Sequence, residues 1–268
     1  MTGLASSTAL PVILLVPGAC GSPAGYDNVL PYLHKAGFTT HQGPYPSCDP
    51  VDPAAATCGR DIASLRNDVL LPLLDHQKQD VIIVAHSYGG VVAGAAAKGL
   101  DKQTRSAQGQ GETGVIGLIY VVGNITLEGE TLLEAVGGVY PPFIKLDKPS
   151  KGLIVIEPIM DVLFNDMDAS LAPEFEKVMS PHSPLAFETK ATAPAWADAQ
   201  FDKRRAYVRT LNDNCNPVAL QDIWLEKSKV DWDVVDFETG HMPFASQPEA
   251  LAEQIIKFAK GFVALESV

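Results

Sequence analysis

The sequence predicts an α/β fold, a doubly wound and mostly parallel sheet interrupted by an inserted cap, on three observations. Short β-branched runs alternate with longer amphipathic stretches. Two of those runs, Val12 to Val16 and Val81 to Ala85, are apolar at every position, as strands covered by helices on both faces must be. The alternation then stops between 124 and about 196, where eight prolines recur from Pro141 to Pro194 and no clean βαβ spacing survives.

Taken in order, Val12 to Val16 is the first strand, and Tyr26 to Ala36 and Asp61 to Gln77 read as helices. The second of these carries Ile62, Leu65, Val69 and Leu73 near helical spacing. Val81 to Ala85 is the next strand, followed by a small-residue helix over Val91 to Lys98 and a third strand over Val115 to Val122. Beyond the cap, Tyr207 to Leu211 and Val234 to Phe237 are expected strands, and Ala219 to Lys227 and Pro248 to Phe262 expected helices, the last opening on proline. Within the cap, Leu132, Leu133, Tyr140, Phe143, Met160, Leu163 and Phe164 are candidates to line an apolar cavity against the sheet, or to form the cap's own small core. A chain of 268 residues needs no second domain to bury such a core, so one domain over 1–268 is expected.

The bulk composition narrows the partners. With 46% hydrophobic and 19% charged residues the chain is of the globular class, and its formal charge of -12 opposes binding to nucleic acid or anionic membrane, which needs clustered Lys and Arg. A small, neutral or apolar substrate is expected, with the protein a monomer or homodimer. No basic residue precedes the first apolar run, which ends at Pro17 after five residues, too short for a leader core or a span; a cytoplasmic location follows as an expectation. Cys20, Cys48, Cys58 and Cys215 show no metal-ligand spacing and read as free thiols, although Cys48 and Cys58 flank a proline-containing loop and could pair if the chain were secreted.

The strongest local signal is Ala85-His86-Ser87-Tyr88-Gly89-Gly90, at the junction of a buried strand and a small-residue helix. A serine hydroxyl is a poor nucleophile, so it must project from a tight turn toward a base, and the residues two before and two after must be small for that turn to close. Ala85 and Gly89 meet the condition. Pro17-Gly18-Ala19-Cys20-Gly21, after the first strand, suits a loop whose amides receive the charge that grows on a carbonyl oxygen; the expected donors are the N–H groups of Ala19 and Tyr88. Of six histidines, His241 is the candidate base, lying in a turn after the last strand. His86 is expected to point away from Ser87 and be structural, and His34, His41, His76 and His182 lack supporting context. Asp213, in the loop Asn212 to Pro217, is the candidate acid that orients the base, with Asp222 and Asp236 as rivals and an ordinary Asx turn as the plainer alternative.

These four segments, in this order, resemble the α/β-hydrolase superfamily, and in particular the plant-type methyl esterases and hydroxynitrile lyases. The resemblance spans Val12 to Phe262 and is weak across the cap. Pro17 and Ala85 stand where the family commonly has His and Gly. The lyases tend to carry Thr in the oxyanion loop and Lys after the base histidine; here those places hold Gly18 and Met242, which favours the esterase branch. The resemblance implies a Ser87, His241, Asp213 hydrolase that needs neither a cofactor nor a metal and cleaves a small apolar carboxylic ester or lactone through an acyl-enzyme. A lyase, isomerase or cyclase using the same site is the alternative, and a receptor-like binding module a third.

Overall fold

The computed structural model describes residues 10–43 and 45–267. Most of the N-terminal segment on which the expectation about a leader or span rests lies outside them. Six strands, β1 (Val12–Val16), β2 (Thr40–Gln42), β3 (Val81–His86), β4 (Val115–Val121), β7 (Arg205–Thr210) and β8 (Asp233–Phe237), form a sheet in the order β2-β1-β3-β4-β7-β8. Every pairing in it is parallel. A separate antiparallel pair, β5 (Ile144–Leu146) and β6 (Ile154–Ile156), lies in the long excursion between β4 and β7, which otherwise consists of short helical turns.

Why the central strands are legible is visible in the two cores they divide. All positions of β1, β3 and β4 are buried, and alternate residues serve opposite faces. Val12, Leu14, Val16, Ile83 and Ala85 belong to one cluster, while Ile13, Leu15, Ile82 and Val84 belong to the other. The second cluster is closed by the helix Pro248–Ala264 through Leu251, Ile255, Phe258 and Phe262. Each such side chain, fully buried, contributes roughly 1.5–3 kcal/mol of transfer free energy. The approach is close: a Cβ added at Gly117 of β4 would lie 2.1 Å from the Phe262 ring.

Several boundaries differ from expectation for physical reasons. The stretch expected as one helix from Tyr26 opens as a tight 3-10 turn over Pro23–Val29 and becomes α-helical at Leu30–Lys35. The stretch expected from Asp61 to Gln77 begins earlier, at Cys58 capped by Thr57, and widens to i→i+5 turns over Leu65–Leu70 and Pro72–His76. Pro72 has no N–H and crowds the preceding turn, and a widened turn accommodates both. The helix after Ser87 starts at Gly89 rather than Val91. Strand β2 and the helix Lys102–Ala107 carry no sequence signal strong enough to announce them, the strand being three polar residues at the sheet edge. All four cysteines are free. Among the described residues no helix is long and apolar enough to cross a membrane.

Candidate active site

Ser87 sits on the turn between β3 and the helix Gly89–Ala96 with a positive φ of 48°, the left-handed conformation that a non-glycine residue adopts only under constraint. The constraint is local. The Ser87 carbonyl accepts from Asn124 N (2.8 Å) and Gly90 N (2.9 Å), and its amide donates to Val121 O (3.3 Å). A Cβ at Gly89 would lie 2.5 Å from Val16 O, and one at Gly90 2.7 Å from Asn124 O, so both glycines are required for the helix to approach β1 and β4. Ala85, two residues before Ser87, is fully buried and fits.

His241 and Asp213 come together at the carboxyl ends of β7 and β8. His241 Nδ1 donates to Asp213 Oδ2 at 2.8 Å. The same carboxylate accepts from Thr210 Oγ1 and from the amides of Cys215 and Asn216, each at 2.8 Å, so its two oxygens receive four hydrogen bonds. Gln221, wholly buried, fixes the loop behind it: its Oε1 accepts from Thr210 N (3.1 Å), and its Nε2 donates to Thr210 O (2.9 Å) and Asn216 O (2.7 Å). The rival carboxylates are engaged elsewhere, since Asp222 and Asp236 both pair with Arg209. No hydrogen bond joins Ser87 to the His241 ring, but both residues border one cavity of about 310 Å³.

Ala19 and Tyr88 border the same cavity. In the loop after β1, the Gly18 amide donates to Tyr26 OH (2.8 Å), the Cys20 amide to His182 Nδ1 (3.3 Å) and the Gly21 amide to Gly18 O (3.3 Å). The Ala19 amide has no partner among the described residues, nor does that of Tyr88. Tyr45 braces the loop from the other side by donating to the carbonyls of Pro17 and Gly18.

His86 is structural in a more specific sense than sequence alone suggests. A carbonyl can only accept, so its Nε2, 2.9 Å from His241 O, carries the proton. Burial pushes its pKa well below the usual histidine range. The ring is therefore neutral, and Nδ1 accepts from Tyr26 OH at 2.8 Å. One chain of bonds thus runs from the Gly18 amide through Tyr26 and His86 to the backbone of His241. Sequence reasoning missed Tyr26, Tyr45, Thr210 and the role of Gln221. It also set aside His182, which is fully buried and bonded to the loop after β1.

The remaining cavity wall is largely apolar, interrupted by Ser22, Asn124, Asn214 and Asn216. Leu132, Leu133, Tyr140, Phe143 and Leu163 border it as expected, joined by Phe187 and Met242. Met160 and Phe164 do not; they pack instead with Met242, Cys20 and Leu163 in a cluster of their own. No Lys, Arg, Asp or Glu is among the residues that border the cavity.

The model of the alpha/beta hydrolase family matches residues 13–254. Over 247 residues the chain is 26% identical to the alpha/beta hydrolase nvfD of Aspergillus novofumigatus, covering 91% of this chain and 95% of that protein. It is 25% identical over 265 residues to the pyrethroid hydrolase of Sphingobium wenxiniae, covering 92% and 87%. The fold is similar to that of a methylesterase protein from Arabidopsis, with a TM-score of 0.66 at 18% identity over 92% of this chain and 98% of the other. That likeness is one of fold, and the family match bears out the α/β-hydrolase superfamily to which the sequence pointed.

Proposed function

Since the chain belongs to the alpha/beta hydrolase family and is a hydrolase, we propose that it cleaves a small, neutral, apolar carboxylic ester or lactone through an acyl-enzyme on Ser87. His241 removes the Ser87 proton as Oγ attacks the carbonyl carbon. Asp213 holds the imidazole with its proton on Nδ1, which leaves Nε2 for the serine, and stabilises the imidazolium that forms. The negative charge on the former carbonyl oxygen is received by the amides of Ala19 and Tyr88. His241 then protonates the leaving alkoxide, and a water activated by the same ring releases the acid and regenerates Ser87.

The observation that carries this reading is that His241, bonded to Asp213, borders the same cavity as Ser87 and the residues of the two unpartnered amides. The size and lining of the cavity support the substrate class: 310 Å³ is at the lower end of ligand sites, and no charged side chain is present to pair with an ionic substrate. The space around Gly18 supports the esterase branch. A Cβ there would lie 2.9 Å from both His86 Nδ1 and Ser87 Cβ, which leaves no room for the threonine of the lyases.

The test is a panel of p-nitrophenyl esters assayed with the wild type and with Ser87→Ala, run in ¹⁸O-labelled water. Turnover is expected to be highest on short to medium acyl chains, with one solvent oxygen in the acid and a loss of at least about a thousandfold in the variant. Equal rates in the two proteins would refute the serine nucleophile, and product without solvent oxygen would indicate non-hydrolytic chemistry at the same site.

A further inference from the structure

A second buried network lies behind the proposed oxyanion donors, and the mechanism above does not use it. Asp61, fully buried, accepts three hydrogen bonds: from Ser47 N (2.9 Å), from Ser47 Oγ (2.5 Å) and from Tyr88 OH (2.6 Å). No Lys or Arg pairs with it among the described residues. Burial raises its pKa, and the bonds from Ser47 and Tyr88 act against that shift. An unpaired buried carboxyl is costly, so it persists only where its bonds fix something that matters.

The direction of each bond in the chain is determined. The Cys20 amide can only donate, so His182 Nδ1 is an acceptor. Burial holds the His182 ring neutral, with its pKa lowered to about 3. Its proton is then on Nε2, which donates to Ser47 Oγ at 3.0 Å. Ser47 in turn donates to Asp61, as does Tyr88. The chain therefore begins at the peptide joining Ala19 to Cys20 and ends on the residue that follows Ser87. The first place is the peptide next to the one that bears the Ala19 amide and the second is the residue that bears the Tyr88 amide, although residues 20 and 182 are 162 positions apart in sequence. Aromatic packing encloses the path: the Tyr88 ring lies 5.5 Å from Tyr45, 5.4 Å from His182 and 5.6 Å from Phe187, centroid to centroid.

We propose that Asp61, Ser47 and His182 are positioning residues that set the separation and direction of the Ala19 and Tyr88 amides, so that the two donors converge on one oxygen. This rests on the acyl-enzyme reading. The Cys20 bond to His182 orients the loop so that the neighbouring Ala19 amide is left for substrate. The Tyr88 bond to Asp61 anchors the other donor from its side-chain end. Because a donor group misplaced by about 1 Å can cost on the order of a hundredfold in rate, loss of an anchor acts on the chemical step rather than on substrate capture.

The experiment compares Tyr88→Phe, Asp61→Asn, His182→Leu and His182→Asn with the wild type on one p-nitrophenyl ester. Active sites are counted by fluorophosphonate titration, and Ki is measured for a trifluoromethyl ketone, whose hemiketal oxyanion occupies the donor pair. Tyr88→Phe keeps the ring and removes only the anchoring hydroxyl. It is expected to lower kcat per titrated site roughly tenfold and weaken the ketone in proportion, with KM within about twofold. His182→Asn, which offers an amide oxygen near the place of Nδ1, is expected to recover most of what His182→Leu loses. Unchanged kcat per site in both Tyr88→Phe and Asp61→Asn would overturn the positioning role. So would rate losses that leave ketone affinity untouched, since a merely structural defect has that signature. Retained activity in Ser87→Ala would instead overturn the acyl-enzyme reading beneath it.

Discussion

Replacing Gln221 by leucine tests whether the carboxylate loop is held by the residue behind it. The change puts an apolar side chain of similar size in its place but deletes one acceptor and two donors, and leaves Thr210 N, Thr210 O and Asn216 O without those partners in a buried setting. A buried polar group deprived of its bond costs about 1–3 kcal/mol. Three such groups at the lower end, less up to about 1 kcal/mol regained because a leucine side chain is easier to desolvate than an amide, give a net loss of about 2–3 kcal/mol. At roughly 2–4 °C per kcal/mol for a chain of this size, the thermal midpoint should fall by about 4–12 °C. Asp213 keeps its bonds from the Cys215 and Asn216 amides, but Thr210, which donates to its other oxygen, loses its own support. We therefore expect kcat to fall roughly tenfold with KM nearly constant, because the loop orients the base rather than touching substrate. Scanning calorimetry and steady-state kinetics on the same preparation read both effects. A midpoint within about 2 °C of wild type would refute the assignment of Gln221 as the brace.

Stability should also decline in acid with a defined sign. His86 and His182 have folded pKa values below the unfolded value near 6.5, so the unfolded chain binds more protons as pH falls and unfolding becomes easier, with a slope of up to about 1.4 kcal/mol per pH unit per histidine. The raised pKa of Asp61 acts in the opposite direction, but one carboxyl can offset the proton uptake of only one of the two histidines; urea midpoints should therefore drop from pH 7 to pH 5, and a flat profile would contradict two buried neutral rings. Gly18→Thr should fold poorly or lose activity altogether, since its Cβ would meet His86 and Ser87 at 2.9 Å; a soluble, fully active variant would refute that packing argument. Gly117→Ala should destabilise by about 1–3 kcal/mol through overpacking against Phe262, and Gly117→Ala with Phe262→Leu should recover part of that loss in urea titrations.

The parts of this architecture that could be read from the chain are those whose cause is local. Strands β1, β3 and β4 declare themselves because burial on both faces leaves no polar position, and the Ser87 turn does so because small residues must flank it. Asp213 and His241, which the structure brings into contact, are singled out in the sequence by their order and their loops, not by any pattern of their own. What stayed hidden acts across the fold. Tyr26 matters because its hydroxyl meets Gly18 and His86, and Asp61 because it meets Ser47 and Tyr88; each is an unremarked residue within its own helical segment. Edge strand β2 is hidden for the opposite reason, since three polar residues at a margin need little apolar surface.

The small cluster that joins Cys20 and Met242 to Ile156, Val162, Leu163 and Phe164 has a consequence for how such a protein can diverge. Cys20 lies in the loop after β1 and Met242 follows His241, while Ile156 and Leu163 border the cavity and Val162 and Phe164 pack behind them. Reshaping the wall to admit a bulkier acyl group therefore shifts the groups that carry out the reaction. New specificity in this scaffold should arise in coupled steps, with substitutions at the wall accompanied by compensating changes beside residues 20 and 242.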